Sequence, residues 1–211
     1  MKQMIMKVLL SACAMNLGAQ DMGELFVKMP DEYIVELEDA WRKDLVDLYR
    51  ARKDAKLQNR MQGTSQLMKL TPDYLKIQTT ARSTVELRRL PLINDTYIIC
   101  MVTTVSAPVP DSRVDFFTTD WKQLPAIDLY TPASVEQFIR TDVDTADVVF
   151  LDTMAALDMD LFVYRLSEEA QTLTVEYTTP QYLDEAMREK AKRFFKTEPI
   201  IFTWDKRRFI K

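Results

Sequence analysis

The sequence predicts an α+β fold in which antiparallel β-sheets carry two amphipathic helices. Apolar residues make up 47% of the 211 residues and charged residues 28%, a mixture that can bury a core. One long segment repeats apolar residues at three- and four-residue steps, whereas several short segments are β-branched or alternate in polarity. This length corresponds to one medium domain or two small ones.

The first twenty residues have the composition of a secretory signal. Lys2 and Lys7 are followed by residues 8–19, which carry no charge and are mostly apolar or small. This stretch is too short for a stable bilayer anchor, which needs about 20 apolar residues. We therefore expect residues 1–20 to be removed next to Ala19 and the folded part to work in the periplasm.

A second processing route stays open. Leu10, Ser11, Ala12 and Cys13 fit the lipobox of a bacterial lipoprotein, although the apolar stretch before them is very short. In that case the protein would be anchored through a lipid on Cys13. By either route Cys100 is the one thiol left, so no internal disulfide is expected.

The first element of the mature chain is predicted to be a helix over residues 31–56. Pro30 precedes it, and acidic residues come early and basic residues late, as the helix dipole favours. Its apolar stripe consists of Ile34, Leu37, Trp41, Leu45 and Leu48. Burial of Trp41 on this stripe predicts that Trp41→Ala costs about 3–5 kcal/mol.

Strands are predicted after Gly63, which ends the helical pattern. The first predicted strand contains Tyr74 and Ile77, and a polar turn at 79–83 separates it from the second, residues 84–87. Two further strands are predicted at residues 97–105 and 114–121. The run 97–105 is continuously apolar at its start, which is typical of a strand buried on both faces.

The second half begins after the prolines at 125 and 132, which mark a boundary between residues 21–125 and 126–211. The two parts can also form one continuous domain.

The second half, residues 126–211, contains five predicted elements. They are a short strand 148–151, a hairpin of strands 161–166 and 172–177 around a turn at 167–170, a helix 179–196 that Thr179 caps, and a strand 200–204. Each half contains a hairpin and an aromatic strand ending in tryptophan, which suggests two similar halves.

Three sets of motifs resemble an uncharacterised exported family of the Bacteroidales, the domain of unknown function 3256. They are residues 25–30 with 42–49, residues 83–87 with Asp111, Ser112 and Trp121, and Thr172 and Leu173 with Pro199 and Trp204. The family has no assigned activity or catalytic residues. The resemblance therefore implies a location in the cell envelope and no site.

Missing residue types exclude several classes of function. The chain contains no histidine, which excludes Ser-His-Asp and Cys-His catalysis and the usual zinc sites. Gly18, Gly23 and Gly63 are its three glycines, too few for a phosphate-binding loop. The net charge of −4 argues against nucleic acid as a partner. We expect no cofactor and no transition-metal site.

Candidate site residues lie in an acidic segment, residues 141–164. Asp142, Asp144 and Asp147 are candidate calcium ligands, although the glycine and glutamate of an EF-hand loop are missing. A solvated acidic loop is the alternative. The same segment could supply a carboxylate pair for glycoside hydrolysis.

Other chemically capable side chains have structural interpretations beside the functional ones. Trp121, Trp204 and Phe209 could stack on sugars or cap a core. Ser112 reads as a turn residue rather than a nucleophile, and Cys100 as a buried, inert thiol.

These observations favour a non-catalytic exported envelope protein that binds or scaffolds an envelope protein or a glycan. The alternative is a carboxylate-dependent periplasmic hydrolase.

Overall fold

The computed structural model describes residues 20–211, which form two antiparallel β-sheets and five α-helices. Almost all of the predicted signal segment lies outside the described residues. The helices are α1 Met22–Val27, α2 Asp39–Arg50, α3 Ala126–Leu129, α4 Val148–Ala155 and α5 Glu185–Ala191. The first sheet contains β1 Lys56–Gln58, β2 Thr64–Leu70, β3 Tyr74–Thr80, β4 Ser83–Pro91, β5 Tyr97–Ser106, β6 Pro110–Thr118 and β7 Gln123–Leu124. The second contains β8 Phe162–Leu166, β9 Thr172–Tyr177, β10 Ile200–Trp204 and β11 Phe209–Ile210.

Both sheets are built from strands that neighbour one another along the chain. The first runs from β1 to β7 in sequence order, and the second has the order β11-β10-β9-β8. The α+β prediction is confirmed, as are the hairpins around residues 79–83 and 167–170, where β3 pairs with β4 and β8 with β9.

The predicted central strand is confirmed as β5, which is buried on both faces. Because strand side chains alternate, Ile98 and Cys100 point to one face of the first sheet and Ile99 and Met101 to the other. The two sets belong to separate apolar clusters. Helices α1 and α2 cover the second face, and the four-stranded sheet covers the first. The molecule is therefore three layers deep, with the larger sheet in the middle.

The predicted helix 31–56 is wrong in its extent. The chain forms a 3-10 turn at Asp31–Tyr33, an irregular stretch, and then α2 at Asp39–Arg50. An additional helix, α1, precedes it, with Asp21 accepting a hydrogen bond from the Glu24 N–H at 2.9 Å. Trp41 is only half-buried, and Arg42 takes the inward position beside Leu45. The expected cost of Trp41→Ala is therefore too high.

Strands β1 and β2 form a hairpin between the predicted first helix and the predicted strands. Buried Asn59 organises its turn: its carbonyl oxygen accepts from the N–H groups of Met61 and Gly63, both at 3.0 Å. The amide nitrogen donates to Ser65 Oγ and to the Thr79 carbonyl. One side chain thus joins the turn to strand β3, an arrangement that local propensity does not reveal.

Two C-terminal predictions need correction. Residues 148–151 start helix α4 rather than a strand, because Asp147 accepts from the Val149 N–H and caps the first turn. The helix predicted over 179–196 is a 3-10 turn at Thr179–Tyr182 followed by α5, which Asp184 caps. Strand β10 is confirmed, and β11 follows it.

The two sheets derive from separate parts of the chain and share one apolar cluster. They contain seven and four strands, so their topology does not support the hypothesis of two similar halves. The division at residue 125 stays a prediction.

Candidate binding surfaces

The three candidate calcium ligands have separate local roles. Arg140 donates two hydrogen bonds to the Asp142 carboxylate, at 3.0 and 2.8 Å, and this contact lowers the pKa of Asp142. Asp144 accepts from the Ala146 N–H at 2.9 Å. Asp147 caps α4. Among residues 20–211 no three Cys, Asp or Glu side chains are grouped as a metal site would require.

The remaining carboxylates of the acidic segment are also exposed. Asp152 lies on α4, and Asp158 and Asp160 lie in the loop that leads to β8. None of the three is buried among apolar groups, as the general acid of a glycosidase usually is. Their positions give the glycosidase alternative no geometric support.

The three aromatic residues considered as sugar platforms are buried in the core. Trp121 Nε1 donates to the Leu25 carbonyl at 2.9 Å, which fixes α1 to the end of β6. Trp204 Nε1 donates to the Pro91 carbonyl at 2.6 Å, and its ring contacts Phe209 edge-on at 5.2 Å between centroids. Their role is to cap the core, and they present no face to a ligand.

The interpretation of Ser112 as a turn residue is wrong, because it lies within β6. Its hydroxyl accepts from the Tyr164 N–H at 3.1 Å, and the neighbouring Asp111 carboxylate accepts from the Phe162 N–H at 3.1 Å. Glu86 on β4 accepts from the Leu166 N–H at 2.7 Å. These three side chains of the first sheet satisfy alternate N–H groups along the outer edge of β8.

Cys100 is fully buried in the middle of β5. Burial raises the pKa of its thiol well above the ordinary value, so the nucleophilic thiolate is suppressed. The interpretation as an inert core thiol agrees with this environment.

Helix α4 presents an apolar surface to solvent. Val148 is 68% exposed, Leu151 52% and Val149 42%, and the first two lie three residues apart on one face. Asp147 and Asp152 on the same helix are exposed beside them. We call these five residues the α4 surface. The whole segment 141–164 contains six aspartates and no lysine or arginine.

The opposite side of α4 is also apolar. Phe150 is buried and meets the Phe194 ring edge-on at 5.4 Å between centroids, and Met154 and Leu157 pack against the same cluster. Phe150, Thr153, Met154 and Leu157 follow one another at helical spacing, and Asp147 precedes them as a possible cap. Together these two features of the sequence predict the helix. A helix that is apolar on both sides is typical of one covered on both sides.

The sheet edges offer little room for an added strand. Edge strands β1, β7 and β11 contain three, two and two residues, and side chains of the first sheet occupy the outer N–H groups of β8. Short or covered edges discourage strand addition. A partner therefore has side-chain surfaces, rather than backbone, to bind.

None of the helices within residues 20–211 combines the length and apolar character needed to cross a lipid bilayer.

Comparison with known proteins identifies a family and a similar solved structure. Residues 14–209 match the family described as "Protein of unknown function (DUF3256)". The structure of a domain of an uncharacterized protein from Porphyromonas gingivalis W83 is similar, with 31% sequence identity and a TM-score of 0.80. The similarity covers 88% of this chain and 96% of that one. No curated protein matches.

Proposed function

We propose that this chain, which belongs to the family of proteins of unknown function DUF3256, is a non-catalytic exported envelope protein that binds a partner protein through the α4 surface. The observation that carries this proposal is the solvent exposure of Val148, Val149 and Leu151 on one short helix. Grouped apolar side chains on a soluble protein commonly mark a binding surface.

Burial of these side chains provides a driving force for association. Moving one valine or leucine side chain from water into an apolar contact contributes roughly 1.5–3 kcal/mol. Three such side chains can therefore form the centre of an interface, with polar groups at its rim.

The charges around the α4 surface specify the chemistry of the partner. Asp144, Asp147 and Asp152 are exposed, and no lysine or arginine among the described residues forms an ion pair with any of them. A complementary surface would place apolar side chains against α4 and Lys or Arg around them. Because rim charges are screened by salt, association should slow and weaken as ionic strength rises.

The side chains capable of chemistry support binding rather than catalysis. No histidine is present in the chain, and the Cys100 thiol is buried with a raised pKa. Asp111, Ser112 and Glu86 are engaged by backbone N–H groups of β8. A catalytic group must contact substrate, and none of these is free to do so.

Co-purification from the native envelope tests the partner surface. A tagged wild-type protein is compared with a Val148→Ser/Leu151→Ser double variant and with Ile93→Ser, which removes a 57%-exposed apolar residue elsewhere. We expect one protein to copurify with the wild type and with Ile93→Ser and to be lost with the double variant. Equal recovery with all three would contradict the proposal.

A substrate screen tests the alternative of a carboxylate-dependent hydrolase. Purified mature protein is assayed against peptide, ester, phosphoester and glycoside substrates, and no turnover is expected. Turnover that disappears when one carboxylate is changed to its amide, with the fold intact, would establish the hydrolase and refute the non-catalytic proposal.

Export is tested by mass spectrometry of the native protein. We expect the chain to lack about its first twenty residues, because a signal is removed on translocation. A lipid mass on Cys13 would favour the lipoprotein route, and an intact Met1 would contradict export.

A further inference from the structure

A cavity of about 280 Å³ lies beside α5, away from the residues that form the α4 surface. Its walls are α5, the residues that follow it, the end of β9 and the 3-10 turn Thr179–Tyr182. This volume is close to the lower end of the range for small-molecule sites, roughly 300–1,000 Å³.

The inner wall of the cavity is aromatic. The Tyr177 ring stacks on Phe138, with centroids 5.9 Å apart and planes 29° apart, and contacts Phe195 at 5.2 Å. Buried Ala191 completes this wall without filling the space. Stacked aromatic rings favour a ligand with a flat apolar body.

Backbone hydrogen bonds hold this wall in place. The Lys196 N–H donates to the Phe138 carbonyl at 2.7 Å, and the Arg140 N–H donates to the Phe194 carbonyl at 2.8 Å. The segment after α5 is thereby tied to the turn at Val135–Phe138. A wall fixed before binding loses little conformational entropy when a ligand enters.

Positive charge predominates around the opening. Arg188, Lys192 and Lys196 line the cavity together with the carboxylates Glu176 and Glu198. Arg165 neutralises Glu176 through an ion pair of 2.6 Å. Lys192 is paired with the exposed Glu189. Arg188 and Lys196 are therefore the two lining cations without a carboxylate partner among the described residues, and the unpaired carboxylate of the lining is Glu198.

Two of these cations are positioned and keep free donors. Arg188 donates one nitrogen to the carbonyls of Gln181 and Leu183, at 3.1 and 3.0 Å, which leaves its other N–H groups available. Lys196 Nζ donates to the Gln137 carbonyl at 2.9 Å and retains two further hydrogens. Charge-assisted hydrogen bonds from such groups bind carboxylates and sulfonates.

From this arrangement we infer that the α5 cavity binds a small organic anion whose flat, apolar body lies against Tyr177 and whose acidic group meets Arg188 and Lys196. This site is independent of the α4 surface.

Two fluorescent probes that differ in charge test the inference. The first is 8-anilinonaphthalene-1-sulfonate, a flat organic anion, and the second is its uncharged relative N-phenyl-1-naphthylamine. Both are titrated into the folded wild-type protein, with near-ultraviolet circular dichroism as a check because loosely packed states also bind the anionic probe. We expect saturable binding of both, with the anion bound more tightly.

Matched variants locate the site. Lys196→Gln should weaken the anionic probe at least about fivefold and leave the uncharged probe unchanged. Lys190→Gln, which also removes one positive charge but lies outside the cavity lining, should change neither affinity. Thr197→Trp should block both probes by filling the opening, since Thr197 is an exposed lining residue.

Three results would overturn the inference. They are no saturable binding of the anion to the folded protein, equal weakening by Lys190→Gln, and retention of both probes by folded Thr197→Trp.

Discussion

Arg42 is the residue that organises the N-terminal layer. Its side chain is 1% exposed, and its guanidinium donates to the carbonyls of Leu37 and Met29 and pairs with Asp31 at 2.9 Å. The segment between α1 and α2 contains little regular structure of its own. One guanidinium therefore satisfies backbone groups that would otherwise be buried without partners.

Replacing Arg42 by methionine should destabilise the protein substantially. The apolar stem is kept, but buried carbonyls lose their charged donor, so we expect a loss of about 2–4 kcal/mol in the free energy of unfolding. Lys43→Met breaks the exposed pair with Asp47 on the same helix and should leave the free energy of unfolding almost unchanged. Urea unfolding of both variants measures the difference, and equal stabilities would show that Arg42 does not hold this segment.

Sequence patterning could not assign this role to Arg42. The stripe at three- and four-residue steps selects Trp41, because periodicity ranks side chains by apolar character. The inward position is instead occupied by Arg42, because its guanidinium donates hydrogen bonds to buried carbonyls 5 and 13 residues away in the chain. Such tertiary hydrogen bonds leave no periodic signal.

At the scale of elements, β8 docks onto the first sheet through its edge. Glu86 accepts from the Leu166 N–H and also pairs with Lys76 at 2.8 Å. With Asp111 and Ser112 it replaces the missing neighbouring strand. The second sheet is therefore positioned by specific hydrogen bonds as well as by the shared apolar cluster.

Two substitutions of Glu86 separate its roles. Glu86→Gln keeps an acceptor for the Leu166 N–H and should cost less than about 1 kcal/mol, whereas Glu86→Leu leaves that N–H unpaired and should cost about 1–3 kcal/mol. Hydrogen exchange of the Leu166 amide should accelerate in Glu86→Leu alone. Similar exchange in both variants would contradict the capping role of this carboxylate.

The prediction of elements succeeded where one local signal dominates. Strand β5 is continuously apolar, and the β8–β9 hairpin alternates around a polar turn, so both were found. Residues 148–151 have strong strand propensity, yet the Asp147 cap and the contact of Phe150 with Phe194 make them helical. The α4 surface was missed for the same reason, since its three exposed side chains exist as a group only on a helix.

At the scale of the whole molecule, buried thiol and phenol groups in one layer of the core make the stability of the fold depend on pH. Burial raises the pKa of the Cys100 thiol and of the phenols of Tyr74, Tyr130 and Tyr164. All four belong to the cluster shared by the two sheets. The folded protein therefore keeps protons that the unfolded chain releases near its ordinary pKa values, about 8.5 for cysteine and 10 for tyrosine.

Stability should therefore be insensitive to these groups below about pH 8 and should fall above it, by up to roughly 1.4 kcal/mol per pH unit for each buried group. The midpoint of urea unfolding measures this loss. Tyr130→Phe removes one such group and should reduce the slope above about pH 10. A slope that Tyr130→Phe leaves unchanged would contradict the assignment.

The layered architecture could be predicted only in outline. Composition and strand patterns indicated α+β, but the order of strands and the packing of β8 across β4, β5 and β6 depend on contacts between residues about 50–80 positions apart, such as Ser112 with Tyr164. The α5 cavity was equally hidden. Its aromatic wall joins Phe138, Tyr177 and Phe195, and no short segment of sequence contains all three.

Photo-crosslinking in growing cells of the source organism shows whether the α4 surface binds a basic partner protein. A benzophenone amino acid is placed at position 148 or 151, and at position 93 as the control. We predict one discrete adduct from positions 148 and 151 and none from 93, with Lys or Arg beside the crosslinked residue of the partner. No adduct at 148 and 151, or the same adduct at 93, would show that the α4 surface is not a partner-binding surface.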